Sequence, residues 1–370
     1  MQKAVIIELV PRASRIHVLL SWLQSGLVST VVCPVPVGAG ANDVVAQLSG
    51  LAEVVTFSAS KFQWWNLLRA TWLAARIARR NRDAVVWSAL DDYFLAFGAL
   101  GILLRLFVFR LPTAVIKYRV QFMMQVDTRR ELLLKFWWQL VLAFVSPTVV
   151  GVFDERLFPT PQRKLRLLAD PAEAYFEFSE PLELQDEFAL LLVGVQNSRK
   201  GIDQISRSMQ CISELAEASG LLVKIVCAGK VDEKTELDRL LCPRPGIAFE
   251  YLPGWKTEAE LAGLFRNSHL ILLPYHPSHT ATSGVLARAA TVGRAVLASD
   301  VGLVSWRVNQ YQLGRVFAYG STESLVDAMR TIIGDLRAGR VFYSPSFAES
   351  SSLTHAAERF EVLMRSIFSV

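Results

Sequence analysis

The chain is poor in cysteine. Cys33, Cys211, Cys227 and Cys242 are scattered through 370 residues with no Cys-x-x-Cys pair, which excludes the usual thiolate zinc site and a dithiol redox motif. Cys33 and Cys227 fall in or beside predicted strands, so the cysteines read as reduced core residues of a cytosolic protein. Uninterrupted apolar runs long enough to cross a bilayer are missing too. The two nearest, 93–109 and 132–153, are broken by Arg105 and by Lys135 and Pro147. There is no lysine-rich run and no nucleic-acid motif, so nucleic acid is not an expected partner. No Asp-x-Asp occurs, and no paired-carboxylate seat for a divalent ion stands out. Gly38-Ala39-Gly40 lacks the third glycine of a dinucleotide fingerprint, with Asp43 following instead, and reads as a loop. The opening MQKAVIIELV, stopped by Pro11, reads as a buried strand rather than a signal peptide.

What the chain does have is apolar content, positive charge and rhythm. It is 52% hydrophobic, enough to bury two sizeable cores, and its net charge of +5 points to an anionic partner such as a nucleotide or a phospholipid surface. Strand patterns at 5–10, 28–35, 54–57, 84–87, 113–118 and 148–153 alternate with helical patterns at 14–24, 61–80, 91–107 and 129–144. Four prolines break the rhythm between 154 and 186. It then resumes, with strands at 188–193, 221–227, 247–251, 270–273 and 295–298 and helices at 201–218, 234–241, 258–266 and 321–333. An amphipathic segment at 354–368 closes the chain. Such alternation implies parallel sheets and right-handed crossovers. The expectation is therefore α/β: two Rossmann-like domains, 1–153 and 187–352, a linker at 154–186 and a terminal helix at 353–370.

The stretch 272–302 is the centre of the functional reading. Ser283 stands where a helix N-cap belongs, and Gly284 allows close approach to the backbone. A helix start there, with Val285 in its first turn, makes a diphosphate seat or an ordinary capped turn. Gly194 ends a strand, and Asn197-Ser198-Arg199-Lys200-Gly201 opens a helix. Lys200 as a point charge and Arg199 as a fork suit phosphate, unless both only solvate a loop. Gly229, at the next strand end, borders the same crevice or makes a plain turn. Trp255 offers a stacking surface for a base, or is packed. His276 and His279 read as polar pocket lining, not as metal ligands. His17, in the first helix, hydrogen-bonds an acceptor or serves as a cap or surface residue. Asp91 and Asp92 either reach an active crevice or cap a helix. The first domain also mixes Trp64, Trp65, Phe97, Phe109 and Trp137 with Arg69, Arg76, Arg105 and Arg110, a pattern of interfacial membrane helices or of a rich core with a basic exterior.

Four pieces in order, VGVQNSRKGID, GWKTEAELAGLFRNSHLILLPY, SGVLARAATVGRAVLASDVG and LGRVFAYGSTESLVDAM, make residues 190–335 resemble a GT-B glycosyltransferase of the retaining, GT4-like group. The resemblance implies two Rossmann-like domains facing across a cleft, with the last helix crossing back to the first. It implies sugar transfer from a nucleotide-diphosphate sugar to an acceptor hydroxyl, carbohydrate or lipid-linked, without metal or further cofactor. Lys200 and the N–H groups at Ser283-Gly284-Val285 inherit the phosphate contacts. The chain departs from the family where Val195 replaces an arginine and where Thr280 and Arg288 replace two glutamates. Arg288 stands at the place of the ribose-binding carboxylate but has no acceptor atom. The expectation is an enzyme of surface polysaccharide or glycolipid synthesis, cytoplasmic or peripheral at the inner face of a membrane. The alternative is a degenerate GT-B scaffold or regulatory partner.

Overall fold

The computed structural model describes residues 2–9, 13–35, 41–88, 90–124, 128–159, 163–172 and 174–369. The Gly38–Gly40 loop lies outside these, as do the side chains of Asp43 and Asp92. The chain forms two compact units, Met1–Pro171 with Leu353–Val370, and Ala172–Ser352.

The first unit holds a seven-stranded sheet of β1 (Ala4–Ile7), β2 (Val28–Pro34), β3 (Glu53–Phe57), β4 (Ala84–Trp87), β5 (Thr113–Lys117), β6 (Val149–Val152) and β7 (Leu165–Leu167). Every pair is parallel, in the order β3-β2-β1-β4-β5-β6-β7. The central strands read as continuous apolar runs because helices cover both faces. Val5 and Ile7 enter one core, Ala4 and Ile6 the other, as the two-residue period of a strand requires. The second unit repeats the design with β8 (Glu187–Val193), β9 (Leu222–Ala228), β10 (Ile247–Leu252), β11 (Leu270–Leu273), β12 (Ala295–Ser299) and β13 (Gly314–Phe317). Their order is β10-β9-β8-β11-β12-β13, again all parallel. Strand order reverses between β8 and β11, the place beyond whose carboxyl ends open parallel sheets generally bind ligands.

Several elements differ from the sequence reading. The segment 154–186 is more ordered than a plain linker. Its Leu165–Leu167 extends the first sheet, a short edge strand that nearby prolines tolerate. From Ala172 on it belongs to the second unit: Phe176 enters that core, and the buried Arg294 donates to Ser179 O at 2.9 Å. The helix expected at 91–107 is a 3-10 turn, Leu90–Tyr93, followed by helices Phe94–Ala99 and Gly101–Phe107. Asp91 explains the turn. Its carboxylate accepts from Lys117 Nζ at 2.9 Å and from the Tyr118 and Arg119 N–H groups at 2.6 and 3.2 Å. It ties β5 to the turn instead of capping a helix. Burial pushes the Lys117 ammonium below its usual range, and Asp91 opposes that shift. Helices Ala41–Ser49, Gly302–Gln310 and Pro345–Ser350 and strand β13 had no clear sequence pattern. Cys33 and Cys227 are core residues whose thiols are pushed up to about 11 and about 12, mainly by burial; Cys242 is exposed.

The last helix, Leu353–Phe368, packs on the first unit. Its Phe360, Leu363, Met364 and Ile367 join the core around Trp22, and Phe360 stacks on Trp22 at 5.2 Å and 11°. Phe360→Ala removes that ring from a site with no solvent exposure. The expected cost is about 3–5 kcal/mol. In urea denaturation this should lower the midpoint of the first unit's transition. A loss below about 1 kcal/mol would show that the helix is only loosely attached.

Candidate functional site

The site is built in the second unit, where β8, β9 and β11 end side by side. After Val193 the chain turns through Gly194 (φ 95°), and the turn Ser198–Lys200 leads into helix Ile202–Ser219. Asn197 Oδ1 accepts from Lys200 N at 3.2 Å and so closes the turn. Gly201 (φ 78°) has a steric role as well. A Cβ there would lie 1.7 Å from Pro274 O, so only glycine lets this loop rest on the exit of β11. A further tie runs from His276 N to Arg199 O at 3.1 Å. Gly229 closes in from β9, since its Cβ would sit 2.3 Å from Gly194 O.

Tyr275 joins these loops to the helix Gly284–Val292. It is 4% exposed, and its carbonyl accepts from Ser299 Oγ at 2.6 Å. Its hydroxyl meets Ser283 Oγ at 3.0 Å, and the Lys200 ammonium lies 3.9 Å from its ring centroid. The His279 ring packs on the same tyrosine at 4.2 Å. Ser283 in turn caps the helix, its hydroxyl accepting from Leu286 N at 3.3 Å. The Gly284 and Val285 N–H groups stand in the first turn, ahead of the intrahelical ladder. One tyrosine thus sets a lysine ammonium beside a helix N-terminus, two positive features with anion chemistry in common.

The structure brings Gly194, Lys200, Gly229, Ser283, Gly284 and Val285 to this group of strand ends. Arg199 contributes its carbonyl to the loop contact, while its side chain is exposed. Trp255 is 68% exposed, which excludes the packed reading and leaves an open ring after β10. Arg288 turns to helix Glu258–Arg266: its Nη2 is 3.1 Å from Glu258 Oε2, and its guanidinium lies 5.2 Å from the Phe176 ring centroid. His17 belongs to the first unit. It is buried, with Nε2 3.7 Å from Asp170 Oδ1, which excludes a surface role. The two loop histidines diverge, His276 to Ser278 Oγ at 2.9 Å and His279 to Tyr275. Among the described residues no group of three metal-type ligands comes together. Sequence reasoning missed Tyr275 and Glu258. The signal for Tyr275 was its place at the exit of an apolar strand into a polar loop; Glu258 carried none.

Two glycine substitutions separate steric need from backbone strain. A Cβ added at Gly194 would meet only open space, so Gly194→Ala should cost roughly 1–2 kcal/mol for its positive φ alone. Gly201→Ala meets the Pro274 carbonyl as well and should cost distinctly more. Chemical denaturation of the two variants compares them. Equal losses would contradict the close contact between the loops.

The family model for glycosyl transferases group 1 matches residues 187–335. No curated relative matches the chain in sequence. Several solved structures share its fold across almost its full length. Sucrose-phosphate synthase from Thermosynechococcus elongatus is 16% identical, covering 99% of this chain and 96% of that one, with a TM-score of 0.60. Anabaena HepE in complex with UDP and glucose is 13% identical, covering 99% and 100%, with a TM-score of 0.66. WaaG, a glycosyltransferase involved in lipopolysaccharide biosynthesis, is 14% identical, covering 99% and 100%, with a TM-score of 0.58. At these identities the likeness establishes the fold alone. The chain has the GT-B fold, and its residues 187–335 are similar to the glycosyl transferases group 1.

Proposed function

We propose that the chain is a glycosyltransferase that takes a sugar from a nucleoside-diphosphate sugar and passes it to an acceptor hydroxyl. The observation that carries this reading is the convergence of Lys200 and the Gly284–Val292 helix start on Tyr275. In the reaction the bond from the sugar C1 to the diphosphate breaks, and its electron pair leaves with the diphosphate. The acceptor oxygen bonds to C1, and its proton passes to the departing phosphate or to solvent. Lys200 and the helix N–H groups stabilise the charge that builds on the leaving group. Those groups are fixed before reaction, so transfer proceeds without a metal. The sugar keeps its anomeric configuration, as in the retaining group the chain resembles. HepE, crystallised with UDP, makes a uridine nucleotide the first donor to try.

The acceptor is carbohydrate or lipid-linked, and the first unit meets a membrane surface. Its helices expose apolar side chains that a core would hide: Ile102 and Leu106 on Gly101–Phe107, and Leu132, Leu133 and Phe136 on Arg129–Phe144. Exposed Arg110 and Lys135 lie among them, a combination suited to an anionic lipid interface. Among the described residues no helix is long and apolar enough to cross a membrane.

Calorimetric titration with UDP and GDP in the presence of a chelator tests the donor site. Saturable binding of one nucleotide is expected, weakened about tenfold or more in Lys200→Ala, as for loss of a charge-assisted contact. Unchanged affinity would remove Lys200 from the site. No binding by the folded wild type would favour a degenerate scaffold, with Thr280 and Arg288 as its cause. Sedimentation with phosphatidylglycerol vesicles tests the surface. Leu133→Glu with Phe136→Glu should abolish co-sedimentation without loss of fold; wild-type protein that stays in the supernatant would contradict the membrane reading.

A further inference from the structure

We infer that Glu258, gripped by Arg288, is the carboxylate that accepts hydrogen bonds from the ribose hydroxyls of the bound nucleotide. The inference rests on the donor site proposed above and adds a residue to it. The position follows from helix geometry. Arg288 comes four residues after Gly284 in the helix Gly284–Val292. It therefore lies on the same face, about one turn or roughly 6 Å further along the axis. From there its guanidinium reaches Glu258 Oε2 at 3.1 Å, at the first residue of the helix Glu258–Arg266. A phosphate at the helix start and a carboxylate one turn away follow the layout of a nucleotide, with its ribose next to its phosphates.

The pair is built rather than incidental. The Arg288 side chain is 13% exposed and that of Glu258 28%, well below a typical solvated pair. The guanidinium also lies over Phe176, whose own ring is buried edge-on against Phe265 at 5.3 Å. Thr257 caps the helix and forms a reciprocal box with Glu260, which fixes the backbone that carries Glu258. Arginine offers only donors and cannot receive a hydroxyl proton. A carboxylate has two oxygens and about four acceptor positions, so Glu258 can accept from Arg288 and from a ligand hydroxyl at once. Other carboxylates near these strand ends are committed to loops. Glu233 accepts from Ser198 N at 2.7 Å, Asp232 pairs with Lys230 at 2.8 Å, and Asp300 accepts from Tyr319 N at 2.9 Å. Glu258 is tied to the helix that begins at Ser283. Trp255, three residues before it, presents an open ring on which the adjoining base can stack.

The experiment titrates wild type, Glu258→Ala and Glu258→Gln with UDP, GDP, their 2′,3′-dideoxy analogues and inorganic pyrophosphate. Wild type should favour the ribonucleotide over its dideoxy analogue by about tenfold, the worth of one charged hydrogen bond. In both variants that preference should vanish, with pyrophosphate and dideoxy affinities unchanged. The double exchange Glu258→Arg with Arg288→Glu keeps a carboxylate in the pair and should retain much of the preference, which guards against a merely structural effect. A preference that survives in Glu258→Ala, or an equal loss for all three ligands, overturns the inference while leaving the donor site standing. A wild type that binds no nucleotide overturns both.

Discussion

The contact between the Lys200 ammonium and the Tyr275 ring is the point on which the candidate site depends. Lys200 sits on a loop after β8 and Ser283 on a loop after β11, and neither sequence neighbourhood specifies where the other lies. Tyr275 supplies the link, with its ring under the lysine and its hydroxyl on the capping serine. The tyrosine is itself fixed by Ser299, which donates to its carbonyl. The loops can approach so closely because Gly201 and Gly229 present no side chain where the neighbouring backbone passes. Sheet topology explains why such a cluster forms here. β8 and β11 are neighbours at the point where strand order reverses, and the helices that follow them pack into different cores.

The two units use the same physics for different surfaces. Each buries an all-parallel sheet between helices, and each sheet is apolar on both faces. The second unit concentrates polar and cationic groups at its strand ends. The first unit ties its corresponding region shut, with Asp91 holding Lys117 and two backbone N–H groups. Its chemical distinction lies on its helices, where leucine, isoleucine and phenylalanine face outward beside basic residues. Those helices satisfy the core with one face and remain apolar on the other, which propensity and core packing do not require.

Much of the fold could be read from the chain because parallel α/β architecture writes a strong signal: apolar runs, capped helices and glycines at the turns. The loop proposed to hold phosphate stands out in the chain for the same reason, since Asn197, Lys200 and Gly201 stand together in sequence. The remainder depends on residues that meet only after folding. Tyr275 and Ser283 are eight residues apart, but Lys200 reaches them from the end of the neighbouring strand, more than seventy residues earlier in the chain. Arg288 gave no sign of its partner because Glu258 is thirty residues away, in another helix. The Pro-rich segment concealed β7 and the Ser179 contact, since a three-residue edge strand has no periodicity to detect and Arg294 is remote in sequence. His17 stayed open between bonding an acceptor and a capping or surface role because helical spacing alone does not show that it is buried beside Asp170.

The central claim is that nucleotide diphosphate binds against the turn before Gly201 and the helix start after Ser283 together. Amide hydrogen exchange, followed with and without saturating UDP in a chelating buffer, tests this most directly. Slowed exchange is expected in two separate segments, 196–201 and 284–288, with the rest of the second sheet unchanged. Bound UDP that protects only one of these segments, or protects a different edge of the unit, would contradict it.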